Sequence, residues 1–275
     1  ARAGSPEPRR SALPPLPRGS RWIALALVVA TALAYVPALR APFLLDDWVT
    51  VAAASRLHST EGMPTRGRPM VMATLAANYQ VNRVLGVDQR ADPAGPDKTI
   101  GYRLFNILLH LSTGALLFAV LRRAMREQTI PDDWRAIAAP VAGIVTALWL
   151  LHPIQSEVIN YVVQRSEGQA SLCYLATLYA SQRAWDAAPA ARVRWYALAV
   201  LMCILGMMSK EIVITAPLAV MLYDRAFRLR SWKELRGPGS GRGWAYLAMW
   251  SACLATFAVF AGSSRGDAAA FGIDM

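Results

Sequence analysis

Seven apolar runs separated by polar connections dominate this 275-residue chain, at about 22–39, 102–121, 136–151, 168–182, 195–208, 212–224 and 244–262. A helix needs about 20 apolar residues to cross a bilayer. Backbone in hydrocarbon must satisfy its own N–H and C=O groups, which an α-helix does within one segment. The expected fold is therefore all-α, a polytopic transmembrane helical bundle. Several runs fall short of the crossing length and must borrow flanking residues. Small residues (Ala32, Ala34) follow the first apolar core, as in a signal peptide. That run is longer than a signal core, however, and the later pattern needs it as a span. Composition agrees: charged residues make up 17% of the chain and mean hydropathy is +0.29, against about 25% charged residues in soluble domains.

The basic residues set the expected topology. Arg122, Arg123 and Arg126 fill one connection, Arg183, Arg192 and Arg194 another, and Arg225, Arg228, Arg230, Lys233 and Arg236 a third. The alternate short connections hold little beyond Arg165 and Lys210. Lys and Arg in short loops mark the cytoplasmic side, and the tail with Arg9, Arg10, Arg18 and Arg21 belongs there too. Residues 1–21 read as a disordered cytoplasmic tail, being rich in Pro, Arg and Ser. Residues 22–262 form the transmembrane domain, with a first extracytoplasmic loop at 40–101. Residues 263–275 begin another such loop. The long loop is expected to hold interfacial helices at VTVAAASRL and PMVMATLAANYQVNRVLG. The chain starts at Ala1 and ends at Met275 in a loop, as an N-terminal fragment of a longer protein would. A net charge of +11 suggests nucleic acid in a soluble protein. Here it is topological, and no nucleic-acid partner is expected.

Three charged clusters fall at the extracytoplasmic face: Asp46–Asp47, the segment LHPIQSEVINYVVQRSEG from 150 to 167, and Lys210–Glu211. Ionisable groups at membrane depth cost about 2.5–3.5 kcal/mol each at a helix centre and are functional candidates by default. The other face is expected to carry only the basic charge that topology explains. Asp46 or Asp47 can act as a general base toward a hydroxyl or help hold a divalent cation. A helix cap explains them equally plainly. Lys210 can neutralise a phosphate with Glu211 orienting it, or both can snorkel at a tight hairpin. In the central segment His152, Glu157, Arg165 and Glu167 are candidates. If the segment is one helix, Glu157, Tyr161, Arg165 and Gly168 share a face, and Arg165 can grip phosphate with its fork. A Glu157–Arg165 bridge, and a His152–Pro153 stop to the preceding span, are the structural alternatives. Arg68, Asn78, Tyr79, Gly86, Tyr102, Asn106 and His110 read as packing of the long loop on the bundle, with His110 left open.

No Gly-rich phosphate loop, zinc spacing or nucleophile elbow occurs. Cys173, Cys203 and Cys253 lie in separate apolar runs and read as small buried residues. A divalent cation, magnesium or manganese, is the one cofactor the acidic residues leave open.

The order FLLDDW, RGRPM with ATLAANY, YRLFNILLH, ALWLLHPIQSEVINYVVQRSE and SKEIVITAPLAVMLYD resembles the membrane domain of the GT-C glycosyltransferases. It is most similar to the transmembrane and tetratricopeptide repeat-containing group, which includes protein O-mannosyltransferases and bacterial relatives. The resemblance runs from about Tyr35 to Asp224. It implies inverting transfer of a sugar from a polyprenyl-phosphate donor to a hydroxyl of a protein or glycan, outside the membrane. For a bacterial relative this means an inner-membrane protein whose site faces the periplasm. An acidic residue of the first loop serves as base in such enzymes, which carries onto Asp46 or Asp47. Lys210, Arg165 and His152 become candidates for the donor phosphate, supported by Glu157, Glu167, Glu211 and Arg68. Tetratricopeptide repeats usually follow the membrane domain in this group. Arg103 stands where the pattern expects His. A transporter or lipid flippase, or a non-catalytic membrane scaffold, would use the same composition. A transporter, however, places its charges near the midplane between repeats.

Overall fold

The computed structural model describes residues 20–44, 46–47, 50–51, 68–86, 99–236 and 241–267. Among them every regular element is helical: α1 (Ser20–Ala34), α2 (Pro69–Val84), α3 (Ile100–Ala124), α4 (Asp132–Ala136), α5 (Ala138–Leu151), α6 (Ser156–Asn160), α7 (Arg165–Asp186), α8 (Pro189–Met207), α9 (Ala216–Phe227) and α10 (Arg242–Asp267). Short 3₁₀ turns join several of them. All seven apolar runs are helical, and the last continues past 262 to Asp267. The tail up to residue 19, most of the VTVAAASRL stretch and residues 268–275 lie outside the described residues.

Among the described residues three helices have both the length and the hydropathy to cross a membrane: α3, α8 and the Arg242–Phe260 part of α10. A fourth crossing arises if α5 and Pro153–Asn160 count as one broken span, bent by 53°. The bend falls where His152 adopts extended backbone ahead of Pro153, as the steric demand of proline requires. The expected seven crossings thus meet the length-and-hydropathy test in part. α7, with 22 residues, has the length but not the hydropathy, because it buries Arg165, Ser166, Gln169, Thr177, Ser181 and Gln182 inside the bundle. Its hydroxyls are satisfied within the helix, Thr177 donating to the Cys173 carbonyl at 2.9 Å and Ser181 to the Thr177 carbonyl at 2.8 Å.

α7 is the axle of the fold. It packs most extensively on α8 and next on α3, while α5 lies on the far side of α3 and α10 on the far side of α8. One core fills the space among α7, α8, α9 and α10 around Cys203, Val213, Val220, Met249 and Cys253. The three cysteines are free and buried. Gly206 is what lets α8 approach: a Cβ there would fall 2.9 Å from Cys173 Cβ and 2.7 Å from Val213 Cγ1. The outward faces are apolar, with Leu104 and Leu108 on α3, Ile144 and Leu148 on α5 and Leu254 on α10 all exposed. An exposed apolar surface of that extent belongs against lipid. The chain is an all-α helical membrane protein.

Candidate functional site

The site assembles around one short stretch, residues 161–169. One helix through this segment would put Glu157 and Arg165 on a shared face, and the structure breaks that helix. α6 stops at Asn160 and α7 starts at Arg165, with Tyr161 extended between them. The break has a cause 115 residues away. Asp47 Oδ2 accepts the Val162 N–H at 3.2 Å and its Oδ1 accepts the Val163 N–H at 2.9 Å. A buried carboxylate thus replaces the helical carbonyls that would otherwise pair those amides. Consequently Glu157 and Arg165 do not share a face. Glu157 is exposed and accepts from Gln164 Nε2 at 3.3 Å, whereas Arg165 is fully buried.

Asp46 and Asp47 have different fates. Asp47 is buried, also accepting the Leu44 N–H at 3.3 Å. Burial pushes its carboxyl above the usual range, against the backbone N–H groups and the Arg103 charge that pull it down. Asp46 is exposed and, among the described residues, bonds through its backbone N–H alone, to the Tyr161 hydroxyl at 3.3 Å. Its carboxylate remains open to solvent.

Arg103, where the resemblance expects His, clamps this arrangement. Its Nε donates to the Asn160 carbonyl at 3.1 Å, Nη2 to the Pro42 carbonyl at 2.7 Å, and Nη1 to the Ala41 carbonyl and, at 3.0 Å, the Thr99 hydroxyl. The first loop is thereby tied to the end of α6. Asn106 works alongside, its Nδ2 facing the carbonyls of Val158, Ile159 and Tyr161 at 3.3–3.4 Å. His110 lies deeper, bonded to the Leu150 carbonyl at 3.0 Å and stacked on Trp149. Asn106 and His110 thus hold α3 against residues 149–161.

From Arg165 onward, successive residues of α7 meet successive partners. Arg165 Nη2 donates to Asn78 Oδ1 at 3.0 Å and to the Tyr102 carbonyl at 3.3 Å, with the guanidinium 4.4 Å from the Phe105 ring centre. Its Nε and Nη1 have no hydrogen-bond partner among the described residues. The Ser166 hydroxyl accepts from Arg68 at 3.4 Å. Glu167 pairs with Lys210, and Arg68 reaches Glu211 at 3.8 Å. Gln169 donates to the Thr74 hydroxyl at 2.7 Å and accepts from Ser209 at 3.4 Å. A main-chain bond from Met70 N–H to the Met208 carbonyl, 3.2 Å, closes the ring between α2 and the α8 end.

Most of the candidate residues therefore attach to one end of the bundle. His152 does not: exposed, its Nδ1 accepts the Ile154 N–H at 3.2 Å, and no bond joins it to Lys210 or Arg165 among the described residues. Among the described residues no group of three or more His, Cys, Asp and Glu gathers in metal-binding fashion. Three of the carboxylates are engaged, Asp47 with amides, Glu167 with Lys210 and Glu211 with Arg68, and that of Asp46 is not.

The opposite end also departs from expectation. Only topological basic charge is expected there, yet Glu127 is buried and accepts from Arg228 Nε at 2.8 Å. Asp186 pairs with both Arg228, at 2.8 Å, and Arg123. A mixed-charge network therefore closes this end of α3, α7 and α9. An acidic residue amid each basic connection was the signal.

Fold and site define an all-α, polytopic membrane helical bundle with a polar seam at one end. Two fruit-fly (Drosophila melanogaster) proteins are similar in sequence. Protein O-mannosyl-transferase Tmtc3 is 27% identical over 167 residues, which cover 57% of this chain and 16% of that protein. Protein O-mannosyl-transferase Tmtc2 is 28% identical over 186 residues, 66% of this chain and 17% of that protein. The chain thus matches about one sixth of each relative's length. No family model matches it, and no solved structure is significantly similar.

Proposed function

We propose that this chain is the membrane domain of a glycosyltransferase. It moves a sugar, with inversion, from a polyprenyl-phosphate donor to a hydroxyl of a protein or glycan. The reaction takes place on the extracytoplasmic side, the periplasm of a bacterium. The observation that carries the reading is the attachment of Asp46, the Lys210–Glu167 pair and the Arg68–Glu211 pair to the single stretch 161–169. The names of the two similar proteins support glycosyl transfer over transport.

The donor's lipid tail stays in the bilayer while its phosphate reaches the bundle end. Asp46, exposed and unengaged at its carboxylate, takes the proton of the acceptor hydroxyl as that oxygen attacks the anomeric carbon. The bond from that carbon to the phosphate oxygen breaks, and the electron pair stays on the phosphate. Lys210 compensates the departing charge, exchanging Glu167 for the phosphate. Arg165, whose Nε and Nη1 have no hydrogen-bond partner among the described residues, is the further donor-phosphate candidate. Asp47 shapes the 161–164 turn and is second choice as base. A divalent cation, if bound, would find the Asp46 carboxylate without a partner among the described residues, while Asp47, Glu167 and Glu211 would have to leave their present partners.

The test is sugar transfer from a polyprenyl-phosphate donor in membranes carrying the wild type and the Asp46→Asn variant. Loss of transfer with normal insertion supports the reading. Undiminished transfer in Asp46→Asn and Asp47→Asn alike rejects the base.

A further inference from the structure

At the end of α3 and α7 remote from Arg165 lies a cavity of about 910 Å³, between the ends of α3, α4, α7 and α9 and the start of α8. Its size is that of a small-molecule site, for which about 300–1,000 Å³ is usual. Five arginines and three carboxylates line it. The carboxylates are all taken: Asp186 by Arg123 and Arg228, Glu127 by Arg228, and Asp132 by Arg135. Arg126 and Arg183 face the same space and make no ion pair among the described residues. Among the described residues Arg126 reaches only the Arg135 carbonyl, at 3.5 Å. Arg183 is braced by the Trp195 ring, 4.7 Å from its centre, and donates to the Tyr179 hydroxyl at 3.3 Å. Stacking fixes the plane of a guanidinium and leaves its in-plane N–H groups for an acceptor.

Topology alone accounts for arginines at a membrane surface, where they hydrate independently. It does not account for a cavity whose acids are consumed by three arginines while two more remain. Those two hold an uncompensated charge of two over a walled space. We propose that this cavity binds a phosphate-bearing anion through Arg126 and Arg183. The same chemistry is offered by the headgroup of an anionic lipid and by a soluble phosphate compound. The site is separate from the seam at 161–169 and stands whether or not that seam transfers sugar.

The experiment measures thermal unfolding of the purified chain in zwitterionic detergent. Phosphatidylglycerol, inorganic pyrophosphate and phosphatidylcholine are titrated in turn. Three proteins are compared: wild type, R126Q/R183Q, and R230Q/K233Q, which removes equal charge from exposed positions outside the cavity. Stabilisation by either phosphate probe, unchanged in R230Q/K233Q and weakened in R126Q/R183Q, is expected. Each charge-assisted contact corresponds to about tenfold or more in affinity. A response to pyrophosphate assigns a soluble ligand, and one to phosphatidylglycerol alone assigns a lipid headgroup. If R126Q/R183Q does not fold, the single variants R126Q and R183Q are read in the same way. An equal response in the cavity variants and wild type, or no response to either phosphate probe, overturns the proposal.

Discussion

Asp46 and Asp47 are chain neighbours with opposite surroundings: Asp47 spends both carboxylate oxygens on backbone amides, while the Asp46 carboxylate stays in solvent. Their asparagine variants should therefore fail differently. Asp46→Asn is expected to insert and unfold as wild type does but to lose transfer by about 10²–10⁴-fold, the usual worth of a general base. Asp47→Asn replaces one acceptor oxygen with an amide NH2, a donor facing a backbone N–H. It should lower stability by about 1–3 kcal/mol and expose the 161–164 turn to protease. Parallel activity and melting measurements separate the two.

Lys210→Met should suppress transfer and leave Glu167 without its cation. Lys210→Arg keeps the charge and should retain part of the activity. Transfer at the wild-type rate in Lys210→Met would move the phosphate role to Arg165. Both variants are read in the same membrane assay, with donor titrated to separate binding from turnover.

Arg103 ties three main-chain carbonyls of distant segments together. Arg103→Met should cost at least about 3 kcal/mol, since several buried acceptors lose a charged donor at once. Arg103→His, too short for that reach, should not restore stability. Thermal unfolding in detergent checks both.

Gly206→Ala places a methyl against Cys173 Cβ and Val213. Overpacking of this kind costs about 1–3 kcal/mol. The Gly206 carbonyl also receives the Lys210 N–H at 2.9 Å. Transfer should therefore fall together with stability, which a melting curve and an activity assay on one preparation reveal.

At the other end, Glu127 and Arg228 are almost wholly buried, with side chains 1% and 5% exposed. Removing one member of such a pair strands a charge, at about 3–5 kcal/mol. Glu127→Gln leaves Arg228 its Asp186 partner at 2.8 Å, so it should cost less than that, about 1–3 kcal/mol. A Glu127→Leu, Arg228→Met double variant should recover much of the loss.

Hydrophobic runs made the helices legible, because a run of apolar residues needs no knowledge of its neighbours. Contact-dependent features were not legible. Nothing in NYVVQR announces a helix break, since the break depends on a carboxylate 115 residues earlier taking two amides. Arg103 read as a departure from a pattern and proved to be a clamp. The Glu127–Arg228 pair was not legible, because the two residues lie 101 positions apart. The three clusters were visible by topology, but His152 joined them by sequence order alone and in space caps its own turn.

Much of the seam is made from main chain: the Val162 and Val163 amides, the carbonyls of Ala41, Pro42, Tyr102 and Asn160, and the Met70–Met208 bond. Such groups are present whatever side chain a position carries. Mutation can rewrite residues 42, 70, 162, 163 and 208 while the polar scaffold keeps its shape. The few side chains that must be kept are those that reach across: Asp47, Arg103 and Arg165. A lineage can therefore drift far in sequence and retain this geometry with only a handful of positions held fixed.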